Sequence, residues 1–404
     1  MMTLLYLLLL PMLSGIGMLG LGPALMAGRA GAAHVVLLLS GLLLPLRGLM
    51  YLLLARRRGN RPGRMSVLLA AVELLLLLPQ LSVRLFAVVV AVYLTLLVTV
   101  EAVNAILYGR MRRWGAFFPA MAAAVGGTGL FVLIVFVPAL RDAALRYTAA
   151  LLLTVFGTGL VCDVLALTIR SRRVRRVLGS IRVALPDLMS LFLPQRTADV
   201  LPRAPLGPVP QQGTEEFELL FQTSAHGIGL VGHCELCFDG RTLTYGAYDP
   251  AHQRLLRTVG AGIVFSAPRE SYLRWCIGTH HRRVISYSLR LPPAQAAQLR
   301  AELERFRQTL SPWQPEALPE DCFAGRLRRL GGVRFWRVQR GPYATYFIPT
   351  INCVSLTNKL LEKTDIGRTV MLGLKTPGAY LDLLEREYLA GNPAVTARRV
   401  YDAV

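Results

Sequence analysis

Two side chains capable of covalent chemistry stand far apart in this 404-residue chain. Cys353 falls at the expected first turn of a helix, in the run Asn352-Cys353-Val354-Ser355-Leu356. The unpaired N–H groups and dipole of a helix N-terminus lower a thiol pKa there. His233 opens an expected strand after Gly227, Gly229 and Gly232. An imidazole can accept a thiol proton, so Cys and His distant in sequence are what a cysteine nucleophile needs. A buried structural thiol is the competing reading of Cys353. The pair Cys234 and Cys237 carries less: on a strand, residues three apart face opposite sides, and a thioredoxin-type motif needs a helix start. His233, Cys234 and Cys237 lack a second ligand pair for zinc, so no metal is expected. His280-His281 beside Arg282-Arg283 reads as a solvated loop. No phosphate-loop or dinucleotide fingerprint is present, and no cofactor is expected.

The elements that must position these residues are short. Residues 216–221 read as a strand. Cys234 to Phe238 and Leu243 to Gly246 form a hairpin across Asp239-Gly240, a two-residue turn signal. Val284 to Leu291 alternates as a strand, and a helix over 292–308 starts with proline. A loop-rich stretch with Gly331 and Gly332 follows. A helix then begins around Asn352, and a last one covers about 377–390. This half, residues 214–404, is α+β.

The first 170 residues differ in kind. They hold fourteen arginines, no lysine and four acids, a net of +10, among long Leu, Val and Ala runs. The whole chain is 53% hydrophobic and 17% charged, with a mean hydropathy of +0.45 and a net charge of +21. That composition excludes a disordered chain and argues against a wholly soluble one. Six cysteines are too few for a disulfide-stapled secreted module. Six stretches suit spanning helices: 3–26, 32–54, 65–81, 85–108, 116–138 and 147–169. Pro23, Pro79 and Pro138 recur at similar spacing, each expected to end the first helix of a pair, with a short loop carrying Arg29, Arg84, or Arg141 and Arg146 after it. Thirteen arginines fall on one side of these helices and four on the other, which places both ends of the bundle and the soluble half in the cytoplasm. Arg47, Glu101, Asn104 and Asp163 are polar groups inside spans, and Arg47 could pair with Asp163 or Glu101. No broken-helix pattern points to a transporter. Residues 171–213 form a linker, basic and amphipathic at first, then proline-rich and extended. Arginines abutting a spanning helix are explained by topology, so no nucleic-acid partner is expected.

The membrane half resembles the HdeD-like acid-resistance membrane family (DUF308), through Leu21-Gly22-Pro23, Leu78-Pro79 and Val137-Pro138, with Gly41, Gly48, Gly157 and Gly159. That resemblance implies a small all-α bundle of six transmembrane helices in three helix-pair repeats, in a bacterial inner membrane. The soluble half resembles the circularly permuted NlpC/P60 group of papain-like domains, nearest its DUF4105-like branch. The residues are Gly232-His233-Cys234-Glu235-Leu236-Cys237-Phe238-Asp239-Gly240, Thr244-Tyr245-Gly246, Tyr287-Ser288-Leu289 with Gln295 and Leu299, Tyr346, Asn352-Cys353 with Leu360-Leu361, and Thr376-Pro377-Gly378. The resemblance implies Cys353 as nucleophile, His233 as its general base, and a third, orienting group on the next strand. Tyr245 stands there, with Glu235 as runner-up. Tyr346 and Tyr248 are expected walls of a partly apolar cleft. The implied function is a membrane-tethered cysteine hydrolase or acyltransferase acting on an acyl substrate, lipid or peptide, with membrane lipids as partners. The alternative is a non-enzymatic, stress-related membrane protein whose soluble half binds a lipid or partner. No oligomeric state follows.

Overall fold

A computed structural model describes residues 9–26, 79–168, 204, 216–223, 232–314, 322–364, 376–389 and 391–402. The described residues up to 168 fall in one compact unit and those from 204 onward in another.

The first unit is helical. Its helices are α1 (Leu10–Met26), α2 (Pro79–Arg110), α3 (Trp114–Phe136) and α4 (Pro138–Thr168). Val90–Arg110, Trp114–Phe136 and Ala139–Cys162 are long and apolar enough to cross a membrane, and Met12–Met26 is apolar but shorter. Leu96, Ile106, Val125 and Phe136 point outward, as side chains solvated by lipid would. This is a membrane protein by that measure. Helices α1 and α4 lie along each other, as do α2 and α3.

The prolines act differently from expectation. Pro79 and Pro138 are the first residues of α2 and α4, and Pro23 lies inside α1, three residues before its end. Proline suits the first helical position, where its missing N–H would be unpaired anyway. The expected loops at Arg84 and at Arg141 and Arg146 are therefore helical turns. Arg141 reaches back across the break: Nε donates to the Ile134 carbonyl at 2.8 Å and Nη2 to that of Val135 at 3.0 Å. A cation thus closes the carbonyl end of α3. Asn104 is buried and its Nδ2 donates to Glu101 Oε2 at 3.3 Å, one turn away. Arg47, both of its suggested pairings, the span at 32–54, the span at 65–81 up to residue 78, and the basic stretch after helix α4 lie outside the described residues, as does the side chain of Asp163.

The second unit is α+β. Its strands are β1 (Glu216–Thr223), β2 (His233–Phe238), β3 (Arg241–Gly246), β4 (Val259–Ala261), β5 (Ile263–Pro268), β6 (Arg283–Arg290), β7 (Leu310–Pro312), β8 (Arg334–Val338), β9 (Thr345–Phe347) and β10 (Val395–Tyr401). Its helices are α5 (Arg269–Gly278), α6 (Pro293–Arg307), α7 (Phe323–Arg328), α8 (Cys353–Leu361) and α9 (Pro377–Leu389). Eight strands form one antiparallel sheet in the order β10-β6-β1-β2-β3-β5-β8-β7, and β4 pairs with β9 in a small second sheet. The β2–β3 turn carries Asp239 at φ 49° and Gly240 at φ 70°, the left-handed pair that a tight hairpin demands. Ala204, in the expected linker, donates its N–H to the Val400 carbonyl at 2.7 Å.

Both faces of the sheet are covered. One carries Leu219, Phe221, Cys234 and Leu236 against Leu299 of α6, Cys353 to Leu361 of α8 and Tyr380 of α9. The other carries Leu220, Cys237 and Phe265 against Tyr272 and Cys276 of α5 and Leu327 of α7. The stretch read as loop-rich contains α7, β8 and β9. These elements are short, and sheet pairing rather than local pattern makes them regular.

Candidate functional site

Cys353 is the first residue of α8, and the sequence before it builds that start. Asn352 is the N-cap: its side chain accepts the Ser355 N–H at 3.0 Å, while Ser355 Oγ accepts the Asn352 N–H at 2.9 Å. This capping box orders the first turn. The thiol is buried at 3% exposure, and its Sγ accepts the N–H of Cys234 at 3.5 Å. Burial pushes the thiol up to about 11, while the N–H groups of Cys234, Val354 and its own residue pull the other way. The helix start thus supplies anion-stabilising donors, but desolvation outweighs them in the resting protein.

His233 begins β2, opposite Gln222 of β1. Strand alternation sends Cys234 and Leu236 to the α8 face and sends His233, Glu235 and Cys237 to the α5 face. The thiol consequently meets the peptide N–H that follows His233 rather than the ring. Among the described residues, no hydrogen bond joins His233 to Cys353. Nε2 of the ring instead lies 3.3 Å from the Tyr248 hydroxyl and 4.0 Å from Glu235 Oε1. Nδ1 has no hydrogen-bond partner among the described residues, and the side chain is 18% exposed. Burial, then the nearby Arg282, lowers the imidazole to about 3, so the ring is neutral at pH 7.

Glu235 anchors a buried network on that face. Its Oε1 accepts from the Tyr272 hydroxyl at 2.6 Å and from Gln222 Nε2 at 2.8 Å, and Arg282 Nη1 donates to Gln222 Oε1 at 2.8 Å. Oε2 is buried with no hydrogen-bond partner. Burial raises the carboxyl to about 7 against these hydrogen bonds and Arg282. Tyr248 is held by stacking on Phe323, with ring centroids 5.1 Å apart, and by the next residue. Asp249 accepts the Ala251 N–H at 3.2 Å and lies 2.7 Å from His252 Nδ1, and it pairs with Arg337.

The roles expected of the tyrosines need correcting. Tyr245 does not approach His233: its hydroxyl donates to the carbonyls of Tyr343 at 2.9 Å and Thr345 at 3.2 Å, and its ring packs edge-on to Tyr343 and Tyr346. It points to the α8 face, because its neighbour in β3, Thr244, takes the other. Tyr248, expected as a cleft wall, is the hydroxyl that reaches His233. Tyr346 is buried beside Cys353, and burial and that thiol push its hydroxyl up. Glu235 approaches Nε2, the nitrogen that Tyr248 already meets, rather than the other one.

Tyr272, Gln222 and Arg282 complete the network and were not read from the sequence. Arg282 belongs to the stretch taken as solvated, yet it lies over Phe323 at 5.5 Å, and His280 packs on Trp275 at 4.2 Å. Two open clefts of about 350 and 430 Å3 share Arg307, Arg334 and Trp336, and neither is lined by Cys353 or His233.

Fold and site define a class: an antiparallel α+β unit carrying a cysteine at a capped helix start, on a chain with helices of membrane length. No family model, no curated protein and no solved structure matches this chain.

Proposed function

We propose that this chain is a membrane-tethered cysteine hydrolase or acyltransferase, acting on a lipid, amide or peptide acyl group. In this reading the helical unit is a six-span bundle of the bacterial inner membrane, and the soluble unit is a cytoplasmic, permuted papain-like domain. The observation that carries the reading is the Cys353 sulfur, seated at a capped helix start among backbone N–H donors. Sγ attacks the acyl carbon as its proton passes to His233. The leaving alcohol or amine departs with that proton and a thioester remains. Water or an acceptor hydroxyl then attacks the thioester carbon, losing its proton to the same ring, and the thiolate leaves and regains it. Backbone N–H groups beside Cys353 stabilise the intermediate oxyanion. The ring must leave Tyr248 to act, and Gly232, at φ 84°, precedes it at the strand's end.

The resting site also favours a second reading, a lipid- or partner-binding module without catalysis, because the thiol is buried, protonated and not bonded to His233. One experiment separates the two. The full chain in detergent is treated with a thioester-forming acyl probe, and adducts are located by mass spectrometry. Catalysis requires an adduct at Cys353 that His233→Ala abolishes, and turnover of that adduct. Adduct formation through the neutral His233 ring should stay nearly flat between pH 7 and 9, whereas a climb of about tenfold per pH unit would mark attack by thiolate formed without the ring, since the thiol loses its proton only near 11. Labelling indifferent to His233→Ala would leave the binding reading.

A further inference from the structure

The soluble unit carries an apolar finger well away from its core. Leu255 is 61% exposed and Leu256 94% exposed, and Arg254 and Arg257 flank them. Leu255, Leu256 and Arg257 all hold left-handed backbone, at φ 48°, 55° and 68°. Three consecutive non-glycine residues rarely adopt that conformation, and each is strained by its Cβ. The tip is nonetheless tightly closed. Arg254 and Val259 exchange backbone hydrogen bonds at 2.8 and 3.3 Å, and the Leu255 carbonyl accepts both the N–H and the hydroxyl of Thr258 at 3.1 and 2.6 Å. The Ile348 N–H, beside β9, donates to the Thr258 carbonyl at 3.0 Å.

We propose that this finger inserts into the surface of an anionic lipid bilayer. An exposed leucine pair held rigidly outward has no use in water, whereas a bilayer buries it. The flanking guanidiniums select the sign of the surface. Among the described residues neither Arg254 nor Arg257 has a side-chain hydrogen-bond or ion-pair partner, so both are available to lipid phosphates, and residues 253–260 include no acid. The chain's membrane-length helices keep a bilayer always at hand. Closure of the tip removes the ordering cost that a flexible loop would meet on insertion. Strand β4 follows the finger and pairs Gly260 with Tyr346, the residue beside Cys353. The finger and one wall of the candidate site therefore share a two-stranded sheet, although lipid contact is independent of chemistry at Cys353.

The test uses the full chain in nanodiscs, either of phosphatidylcholine or with phosphatidylglycerol added. Leu256→Cys carries an environment-sensitive fluorophore, with the unsubstituted chain as labelling blank. Arg274→Cys on α5 and Gln308→Cys beyond α6 serve as exposed comparators on other surfaces. Expected is a blue shift at position 256 on anionic discs, with quenching by spin-labelled lipid that neither comparator shows. Arg254→Gln with Arg257→Gln should lower that quenching several-fold, and the thermal melt should stay unchanged because these side chains lie outside the core. A position-256 probe that behaves like the comparators overturns insertion. So does a blue shift without lipid quenching, which would signal a protein partner or second copy. Equal quenching on both disc types overturns the anionic preference.

Discussion

The two units satisfy their polar groups in opposite ways. In the helical unit, Thr95, Thr99, Thr128, Thr148, Thr154 and Thr158 each donate to the carbonyl four residues back on their own helix. Its tightest packing uses small residues. A Cβ built on Gly15 would meet the Gly157 carbonyl at 3.0 Å, and one on Gly22 would meet that of Ala150 at 2.8 Å. In the soluble unit, polar groups bond across strands and layers. Glu218 of β1 pairs with Arg269 of α5 and accepts from Ser286 of β6 at 3.0 Å, and Arg269 Nη2 donates to Tyr401 of β10 at 3.3 Å. Lipid tails remove the hydrophobic drive between helices, so close backbone approach and self-contained hydrogen bonds must serve. Water supplies that drive, and a core so formed can hold buried charge if every partner is present.

The sharpest break of this contrast is Glu218→Ala. It strands Arg269, which is 8% exposed, without its counter-charge. A loss of about 3–5 kcal/mol is expected in denaturant titration of the soluble unit. Glu218→Gln with Arg269→Met should recover most of it. A loss below about 1 kcal/mol would mean that solvent reaches the pair.

A second effect depends on pH. Glu235 has its carboxyl raised to about 7, so its contribution is present below the ordinary carboxylate range near 4.5 and is lost as pH rises through 7. His233 is lowered to about 3 from 6.5, so its contribution is present above 6.5 and is lost as pH falls through 3. Between 4.5 and 6.5 the two slopes oppose, and stability should be flat there. Glu235→Gln should stabilise by on the order of 2–3 kcal/mol at pH 8 relative to pH 4, since an amide carries no charge to desolvate. Thermal melts at both values check this, and a gain equal at the two would refute the linkage.

The helical unit offers the third. Gly22→Leu must displace Thr154 and the backbone of α4, at a cost of about 1–3 kcal/mol in detergent melts. A Cβ at Gly17 or Gly20 on the same helix meets nothing within 4 Å among the described residues, so Gly17→Ala and Gly20→Ala should show no loss, while the matched Gly22→Ala should. Similar gains at all three alanine variants would show that helix propensity, not the α1–α4 seam, sets the outcome.

Much of the soluble fold was legible because its signals are local. The Asp239-Gly240 turn, the alternation of β6, the proline opening α6 and the Asn352 cap each act over a few residues. The capped Cys353 and the strand-borne His233 were legible for the same reason. What escaped depends on neighbours distant in sequence. Gln222 meets Glu235 only through β1–β2 register, Tyr272 meets it from α5, and Arg282 reaches Gln222 from a stretch whose charge suggested solvent. In the helical unit, proline was legible as punctuation, but whether it closes one helix or opens the next is decided by the preceding residue. Val137 alone separates α3 from α4.

The tyrosines give the smallest and most discriminating test, because Tyr245 and Tyr248 lie three residues apart with different duties. Tyr245→Phe leaves the Tyr343 and Thr345 carbonyls without their donor. It should cost about 1–2 kcal/mol of stability and leave the labelling rate of Cys353 unchanged per folded molecule. Tyr248→Phe removes the hydroxyl 3.3 Å from His233 Nε2, so it frees the ring to turn toward the thiol. A bond worth about 0.5–1.5 kcal/mol then corresponds to a rise in Cys353 acylation of up to roughly tenfold. His233→Ala in the Tyr248→Phe background must erase that rise, since the gain passes through the imidazole. Were Tyr245→Phe instead to abolish labelling in well-folded protein while Tyr248→Phe did nothing, the orienting group would be the one on β3, and the resting geometry around His233 would not be the one from which the thiol reacts.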